Sequence, residues 1–197
     1  MWTLAFSLIP FAFSMIATPG PNNVIVMVSG TNFGYRRTLP VILGIVFGLS
    51  TMILCMGLGL GQLFGLYPGI HSTLKYIATA YLLFLAWKIA SADGISKGKN
   101  EEKPLTFLQG LLFQWVNPKA WVLAISAIAT FTSPTLSPLG QTAIICLVLI
   151  CVAIPSVSAW AVFGSGIARI LKTRQALRIF NIAMGGLLVL SLVPLYV

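Results

Sequence analysis

Apolar residues run along nearly the whole chain in stretches of about 18 or more, each long enough to cross the roughly 30 Å hydrocarbon core of a membrane. The first five stretches cover approximately residues 2–28, 39–64, 74–90, 107–131 and 139–163, and the sixth runs from a basic stretch to the C-terminus. This pattern predicts an all-α polytopic membrane protein with six transmembrane helices. The chain has little room for anything else.

Short polar stretches separate these segments and predict the loops. We expect loops or turns at 29–37, 65–72, 91–106, 132–138 and in the basic stretch around 169–178. All of the acidic residues, Asp93, Glu101 and Glu102, fall in the third of these five loops in chain order, 91–106. Pro155 should bend the fifth helix, because proline removes a hydrogen bond inside a helix.

Two of the six segments are interrupted at corresponding places. Pro19 and Pro21 bracket Gly20 in the first segment, and Asn117-Pro118 interrupts the fourth, with Pro118 99 residues after Pro19. Exposed breaks of this kind would leave backbone carbonyls without donors in lipid, so they occur where they line a polar cavity or are covered by protein. We therefore expect broken helices 1 and 4.

The halves of the chain are predicted to form inverted repeats, approximately 1–98 and 99–197. Each half holds three crossings, and an odd number makes the second half enter the membrane from the opposite side. The two breaks then correspond to each other about an axis in the membrane plane. Interrupted segments at matching positions point to the binding site of a secondary transporter, so residues 1–197 are expected to form a single membrane transport domain.

Composition and charge agree with a membrane protein and give its orientation. Hydrophobic residues make up 58% of the chain and charged residues 8%, against about 25% charged in soluble domains. The net charge of +9 is dispersed over short loops, which argues against a nucleic-acid partner. Ten of the 12 basic residues, all except Lys75 and Lys119, lie at loops of one side, so both termini are predicted to be extracytoplasmic.

The residues at the breaks are the candidate substrate-binding residues. A half-helix that begins near Gly20 or Pro21 would present unpaired N–H groups to an anion such as a carboxylate. Asn22 and Asn23 could bind an ammonium or hydroxyl group, or could merely cap the half-helix. The full candidate set is Thr18, Pro19, Gly20, Pro21, Asn22, Asn23, Asn117, Pro118 and Lys119.

Lys119 lies about 18 Å deep, roughly a dozen residues from either end of its segment. A lysine at that depth is costly and is presumed functional. Its partner could be freed backbone carbonyls, the negative end of a half-helix or a substrate carboxylate; alternatively, it could extend to water or lose its proton. The other polar residues within the segments are expected to be interhelical hydrogen-bond partners. They are Thr79, Gln114, Ser126, Ser156, Ser158 and Asn181.

Three further features admit other interpretations. Cys55 and Cys151 occupy roughly equivalent positions in the two halves, which raises the alternative of a transmembrane thiol-disulfide relay, although neither has the surroundings that make a thiol reactive. A non-transporting membrane scaffold would require both breaks to be incidental. Gly44 and Gly48 lie on one helix face and favour packing within the bundle over a dimer contact. No metal site and no cofactor are expected.

Several motifs resemble the LysE/RhtB family of amino-acid exporters. They are Thr18-Pro19-Gly20-Pro21-Asn22-Asn23, Gly34-x-Arg36-Arg37, Ala80-Tyr81-Leu82 leading to Ala86-Trp87-Lys88, and Asn117-Pro118-Lys119-Ala120. The match covers the chain in the expected order, and the first motif is similar to that of the family's cysteine and O-acetylserine exporters. The resemblance implies a bacterial inner-membrane carrier, not an enzyme, that expels small amino acids, driven by proton exchange and commonly homo-oligomeric.

One departure from the family bears on substrate and coupling. Many members carry an aspartate where this chain has Asn22, and no predicted crossing holds a carboxylate. A strongly cationic substrate would lack a counter-charge, so small zwitterions such as cysteine, O-acetylserine, homoserine or threonine are expected. The proton would have to be carried by Lys119, His71 or a loop acid, or else by the charge state of the substrate. We expect alternating access around a polar vestibule between the two breaks.

Overall fold

The computed structural model describes residues 2–60, 68–92, 103–133, 136–193 and 196, and regular structure within these ranges is helical. The helices are α1 (Trp2–Ala17), α2 (Pro21–Phe33), α3 (Tyr35–Cys55), α4 (Pro68–Ala90), α5 (Phe107–Val116), α6 (Pro118–Phe131), α7 (Pro138–Ile170) and α8 (Arg174–Leu190). A π-helical turn, Met56–Leu60, follows α3, and the chain leaves helical conformation within it at Gly59, where φ is 103°. The prediction of an all-α fold is confirmed for these ranges.

The predicted breaks are present in both halves of the chain. α1 and α2 meet at 57° across Thr18, Pro19 and Gly20, and α5 and α6 meet at 69° across Asn117. Pro21 and Pro118 each occupy the first turn of the second helix of their pair, where a missing N–H costs nothing. Two broken helices are therefore confirmed.

Helix length and hydropathy identify candidate membrane crossings. Within the described ranges, two helices are long and apolar enough to cross a membrane, α3 with the turn that follows it and α7, and the count rises to four if each bent pair is one span. The six crossings and the inverted repeat stay predictions.

The predicted loop at 29–37 is wrong, because these residues are helical apart from Gly34. Its φ of 79° lies in the left-handed region, where glycine turns the chain from α2 into α3 in one step. The polar side chains that indicated a loop are buried instead: the Ser29 and Thr38 hydroxyls are 2.9 Å apart. Thr31 Oγ1 donates to the carbonyls of Met27 and Gly164, at 2.9 and 3.0 Å.

Other helix ends differ by several residues from their predicted places. α4 begins at Pro68, inside the predicted turn 65–72, because proline fits the first turn of a helix. The predicted basic loop is mostly helical: α7 continues to Ile170, and Thr173 caps α8 with its hydroxyl. Pro155 lies within α7, which continues as one helix on both sides of it. The three acidic residues, Asp93, Glu101 and Glu102, lie outside the described residues.

Glycines allow the closest helix contacts. A Cβ on Gly44 or Gly48 of α3 would collide with the carbonyl of Phe107 or Leu111 on α5. A Cβ on Gly30 of α2 would likewise collide with Ala161 of α7. The expectation that Gly44 and Gly48 serve packing within the bundle is confirmed.

The helices place the two breaks side by side near the centre of the bundle. α7 packs against α1, α2 and α3, while α3 packs against α5, and α4 pairs with α8. α1 also contacts α6, so the two bent pairs touch across their breaks. The outward faces of α4 and α8 remain apolar, with exposed Ile77, Phe84, Trp87, Ile179 and Ile182.

Candidate functional site

Side-chain amides join the two breaks directly. Asn22, at the start of α2, and Gln114, at the end of α5, form two reciprocal amide hydrogen bonds of 2.9 Å each. Asn117 Nδ2 donates to the same Asn22 oxygen at 3.1 Å. Gln114 is fully buried and Asn117 is 1% exposed, whereas Asn22 is partly exposed, so these bonds are partly buried. Residues 92 or more positions apart are thus held together in the interior.

Lys119 crosses from the second break to the first. Its Nζ donates to Thr18 Oγ1 at 2.7 Å and to the carbonyls of Thr18 and Pro19 at 2.9 and 3.2 Å. An ammonium has three donor protons, and three acceptors lie within reach. The carbonyl acceptors lie just beyond α1, at the negative end of a half-helix, as one of the interpretations from the sequence had it. A substrate carboxylate as partner stays a prediction.

Gly20 makes room for this crossing. A Cβ at position 20 would lie 2.8 Å from Lys119 Cδ and 3.1 Å from its Nζ. The backbone of Gly20 is extended, with φ near 180°, which any residue can adopt. Close approach of the lysine, rather than backbone conformation, is the reason for glycine here.

The carbonyls freed by the breaks have side-chain donors. Asn23 Nδ2 donates to Ile16 and Thr18, both at 2.8 Å. The indole of Trp160 on α7 donates to Ala17 at 3.1 Å. At the second break the Trp121 indole donates to Trp115 at 2.8 Å. This satisfies the condition under which irregular backbone is stable at membrane depth.

The two half-helices that begin at the breaks differ in capping. Asn117 caps α6, since its side-chain oxygen accepts from the Lys119 backbone N–H at 3.1 Å. The N-cap of α2 is Gly20, which has no side chain to accept a hydrogen bond. Asn22 and Asn23 lie inside α2, so the interpretation that they cap this helix is wrong. Among the asparagines at the two breaks, Asn117 is the one that caps a helix, α6. The α2 N-terminus keeps its positive end available to an anion.

Asn23 also supplies an unsatisfied acceptor. It is 2% exposed, and its Oδ1 is buried without a hydrogen-bond partner among the described residues. Such an oxygen costs about 1–3 kcal/mol unless a ligand or water donates to it. An ammonium group would meet this need.

A small cavity, here called the central cavity, lies where these groups meet. Its volume is about 30 Å³, room for one or two water molecules. Polar groups of Gly20, Asn22, Asn23, Asn117 and Lys119 line one side, and apolar side chains such as Ile45, Leu49, Leu123 and Val157 line the rest. A cavity lies between the two breaks, but it is smaller than an amino acid and most of the residues that line it are apolar, so the polar vestibule stays a prediction.

The predicted site residues divide into three groups. Asn22, Asn23, Gly20, Asn117 and Lys119 line the cavity. Thr18 and Pro19 serve as acceptors for Lys119, and both are exposed. Pro21 and Pro118 begin the half-helices without lining the cavity. Two residues that form hydrogen bonds at the breaks were not predicted as site residues. Gln114 was expected only to be an interhelical hydrogen-bond partner, and no local sequence signal marks Trp160.

The described residues contain no group of three or more histidine, cysteine, aspartate or glutamate side chains that could hold a metal. Cys55, Cys146 and Cys151 are free, with Cys146 buried and Cys151 exposed. His71 is one of the residues of α4, and the structure describes its backbone but not its side chain.

The chain is similar to proteins described as translocators or efflux proteins. The family model described as "LysE type translocator" matches residues 13–194. The chain is 31% identical over 180 residues to the cysteine/O-acetylserine efflux protein of Escherichia coli strain K12, covering 91% of this chain and 90% of that protein. The same figures hold for the protein of that name from Shigella sonnei strain Ss046. No solved structure matches the chain significantly.

Proposed function

The chain belongs to the LysE type translocator family, and from this premise we propose that it is a secondary transporter that exports small zwitterionic amino acids. The observation that carries the proposal is the meeting of the two breaks. A half-buried lysine, an uncapped helix N-terminus and an amide oxygen without a partner among the described residues converge there on one cavity. Export of amino acids follows from the relatives, which are named as efflux proteins.

The site offers complementary groups to both ends of a zwitterion. The carboxylate would replace one of the three oxygen acceptors that Lys119 Nζ has in this structure, and it would also accept from the N–H groups at the start of α2. The ammonium would donate to Asn23 Oδ1, which has no partner among the described residues. No aspartate or glutamate is among the residues lining the central cavity. A second positive charge on the substrate would therefore be unbalanced, so neutral amino acids such as cysteine, O-acetylserine, homoserine or threonine fit better than lysine or arginine.

The small cavity requires movement during transport. We propose alternating access, in which the half with α1–α4 rocks against the half with α5–α8 around the two breaks. Contacts between related elements support an inverted repeat: α3 touches α7, α4 touches α8, and the breaks touch each other. Substrate would enter when one side opens, and the reciprocal bonds of Asn22 and Gln114 would break at that step.

We propose that export is coupled to proton exchange. The protein would lie in the bacterial inner membrane with both termini extracytoplasmic, and it would assemble there as a homo-oligomer. Because acidic side chains are absent from the central cavity lining, the proton is carried by Lys119, by His71, by a loop acid or by the charge state of the substrate.

Counterflow in vesicles tests the proposed function. Purified protein in vesicles preloaded with unlabelled O-acetyl-L-serine should accumulate the radiolabelled compound, and an imposed proton gradient should raise the accumulated amount. Arginine should not compete. Absence of counterflow for every small neutral amino acid would refute the proposal.

Gly20→Ala should weaken transport without abolishing it. The added methyl group displaces the flexible end of Lys119 from the Thr18 and Pro19 carbonyls, so we expect roughly a fivefold lower exchange rate, equivalent to about 1 kcal/mol. Gly186→Ala is the matched control, because a Cβ at that position meets nothing within 4 Å. Equal exchange by the two variants would contradict the role given to Gly20.

The thiol relay is tested by removing all three cysteines. The variant Cys55→Ser/Cys146→Ser/Cys151→Ser should export at a rate within about twofold of the parent. Cys151 is exposed and Cys55 is partly exposed, and a serine at the buried position 146 can keep the hydrogen bond to the Ser50 carbonyl. The rate of substrate efflux, normalised to the amount of protein in the membrane, is the measurement. Loss of efflux that returns with Cys55 and Cys151 restored together would favour the relay.

A further inference from the structure

A second cavity lies near the ends of α2 and α4, away from the breaks. Its volume is about 60 Å³, twice that of the central cavity. Lys88 of α4 and Lys103, which precedes α5, line it together with Ser29 and Asn32 of α2. Its apolar wall consists of Ile25, Val28, Phe33, Leu85, Ile89 and Leu105. Both lysines are exposed, so the cavity reaches the surface.

The chemistry of this second cavity repeats that of the central one. Two buried side-chain polar atoms lack a hydrogen-bond partner in the described part of the chain, Asn23 Oδ1 and Asn32 Oδ1. Asn23 lines the central cavity with Lys119, and Asn32 lines the second cavity with Lys88 and Lys103. Each cavity is thus lined by an asparagine whose amide oxygen has no donor among the described residues, by one or two lysines, and by an apolar wall.

The hydrogen bonds of Asn32 determine whether its side chain can bind the ammonium or the carboxylate of a ligand. Its Nδ2 donates to the Val28 carbonyl at 2.9 Å and to Asn181 Oδ1 at 3.4 Å, which leaves Oδ1 as an acceptor. Asn181 is itself held by its donation to the Ala92 carbonyl at 3.0 Å. The C-terminal ends of α2 and α4 add partial negative charge nearby. This end of the cavity suits an ammonium, while Lys88 and Lys103 suit a carboxylate.

A narrow pocket, here called the passage, shares lining residues with both cavities. Ile25, Leu85 and Leu105 line both the second cavity and the passage, and Ile45 lines both the passage and the central cavity. The passage has no room for a water molecule. The rings of Tyr81 and Phe113 stand beside it with centroids 6.1 Å apart.

We propose that the second cavity is a loading site, where an amino-acid zwitterion from the cytoplasm binds before it passes to the central cavity. The inference rests on the proposed export function for its direction of transport. The carboxylate lies between Lys88 and Lys103, the ammonium donates to Asn32 Oδ1, and the side chain packs against Val28 and Phe33. Separation of Tyr81 from Phe113 opens the way inward.

The test measures binding separately from transport. A Phe33→Cys reporter in the cysteine-free protein, with Lys119→Ala to disable the central cavity, is labelled by maleimide in inside-out vesicles of phosphatidylcholine. O-acetyl-L-serine should protect the reporter. Adding Lys88→Gln/Lys103→Gln should raise the half-protecting concentration about tenfold. Arg169→Gln/Lys172→Gln, which removes the same charge from residues outside the cavity lining, should leave it unchanged.

The outcomes separate this proposal from the export function. Counterflow by the unmodified chain without protection of the reporter overturns the loading site and leaves export standing. Protection without counterflow supports the site and refutes export. An equal half-protecting concentration in Lys88→Gln/Lys103→Gln and in Arg169→Gln/Lys172→Gln overturns the assignment to Lys88 and Lys103. Protection by phosphatidylglycerol vesicles alone, with no effect of O-acetyl-L-serine, shows a lipid headgroup site and also overturns the proposal.

Discussion

Lys119→Ala is expected to lower amino-acid exchange at least about a hundredfold while the protein still inserts in the membrane. The substitution removes hydrogen bonds from an ammonium to Thr18 Oγ1 and to the Thr18 and Pro19 carbonyls. Hydrogen bonds to charged groups are worth about 1.5–3 kcal/mol each, and two of them correspond to a factor of a hundred or more. The cation proposed to bind the substrate carboxylate disappears at the same time.

Lys172→Ala is the matched control for this variant. Lys172 is exposed and lies between α7 and α8, so its loss should leave exchange unchanged. Exchange is measured in vesicles and normalised to the amount of inserted protein. Exchange by Lys119→Ala at the unmodified rate would remove Lys119 from the mechanism. If Lys119→Ala/Asn22→Ala also exports normally, these two side chains at the breaks are incidental to transport. Only a chain that shows no export in unmodified form would favour the scaffold interpretation.

Asn22→Leu is expected to reduce exchange by roughly ten- to a hundredfold. Leucine has nearly the shape of asparagine but no amide, so the buried Gln114 and Asn117 lose their shared partner. Each polar group left unsatisfied costs about 1–3 kcal/mol. The bridge between the breaks is lost, and the thermal stability of the purified protein should fall as well.

A double-mutant cycle isolates this bridge. Asn22→Leu and Gln114→Leu together should cost less than the sum of the two single variants, because removing both partners leaves fewer unsatisfied groups. Thermal stability in detergent gives the coupling free energy without relying on transport. Strictly additive costs would show that the two amides do not interact in the membrane.

The sequence predicted both breaks because prolines within apolar segments leave few alternatives. It also predicted that Lys119, Asn22, Asn23 and Asn117 share a site, since inverted halves bring corresponding interruptions together. The prediction of a loop at 29–37 was wrong for a physical reason. Hydroxyl groups such as those of Ser29 and Thr31 can be satisfied inside a helical bundle, and a polar stretch does not distinguish a loop from a buried polar interface.

Other features could not be predicted because they depend on partners distant in the chain. Trp160 satisfies the Ala17 carbonyl from 143 positions away, and nothing local marks it for this role. The assignment of Asn117 as a cap, with α2 left uncapped, required the helix starts to be known to within one residue. The size of the central cavity depends on the conformational state, which a sequence pattern does not specify.

The distance between the substrate carboxylate and Lys119 tests the central claim most directly. The protein is prepared in lipid with ¹⁵N-labelled lysine and with [1-¹³C]cysteine bound. Solid-state NMR then measures the dephasing between the carboxyl carbon of the cysteine and the lysine Nζ. The Lys119→Arg variant lacks the labelled Nζ at this position and therefore identifies the signal of Lys119. A carboxylate held between the breaks predicts a separation of about 4 Å, as in a charge-assisted hydrogen bond. Bound cysteine without dephasing assignable to Lys119 would place the substrate elsewhere and contradict the account.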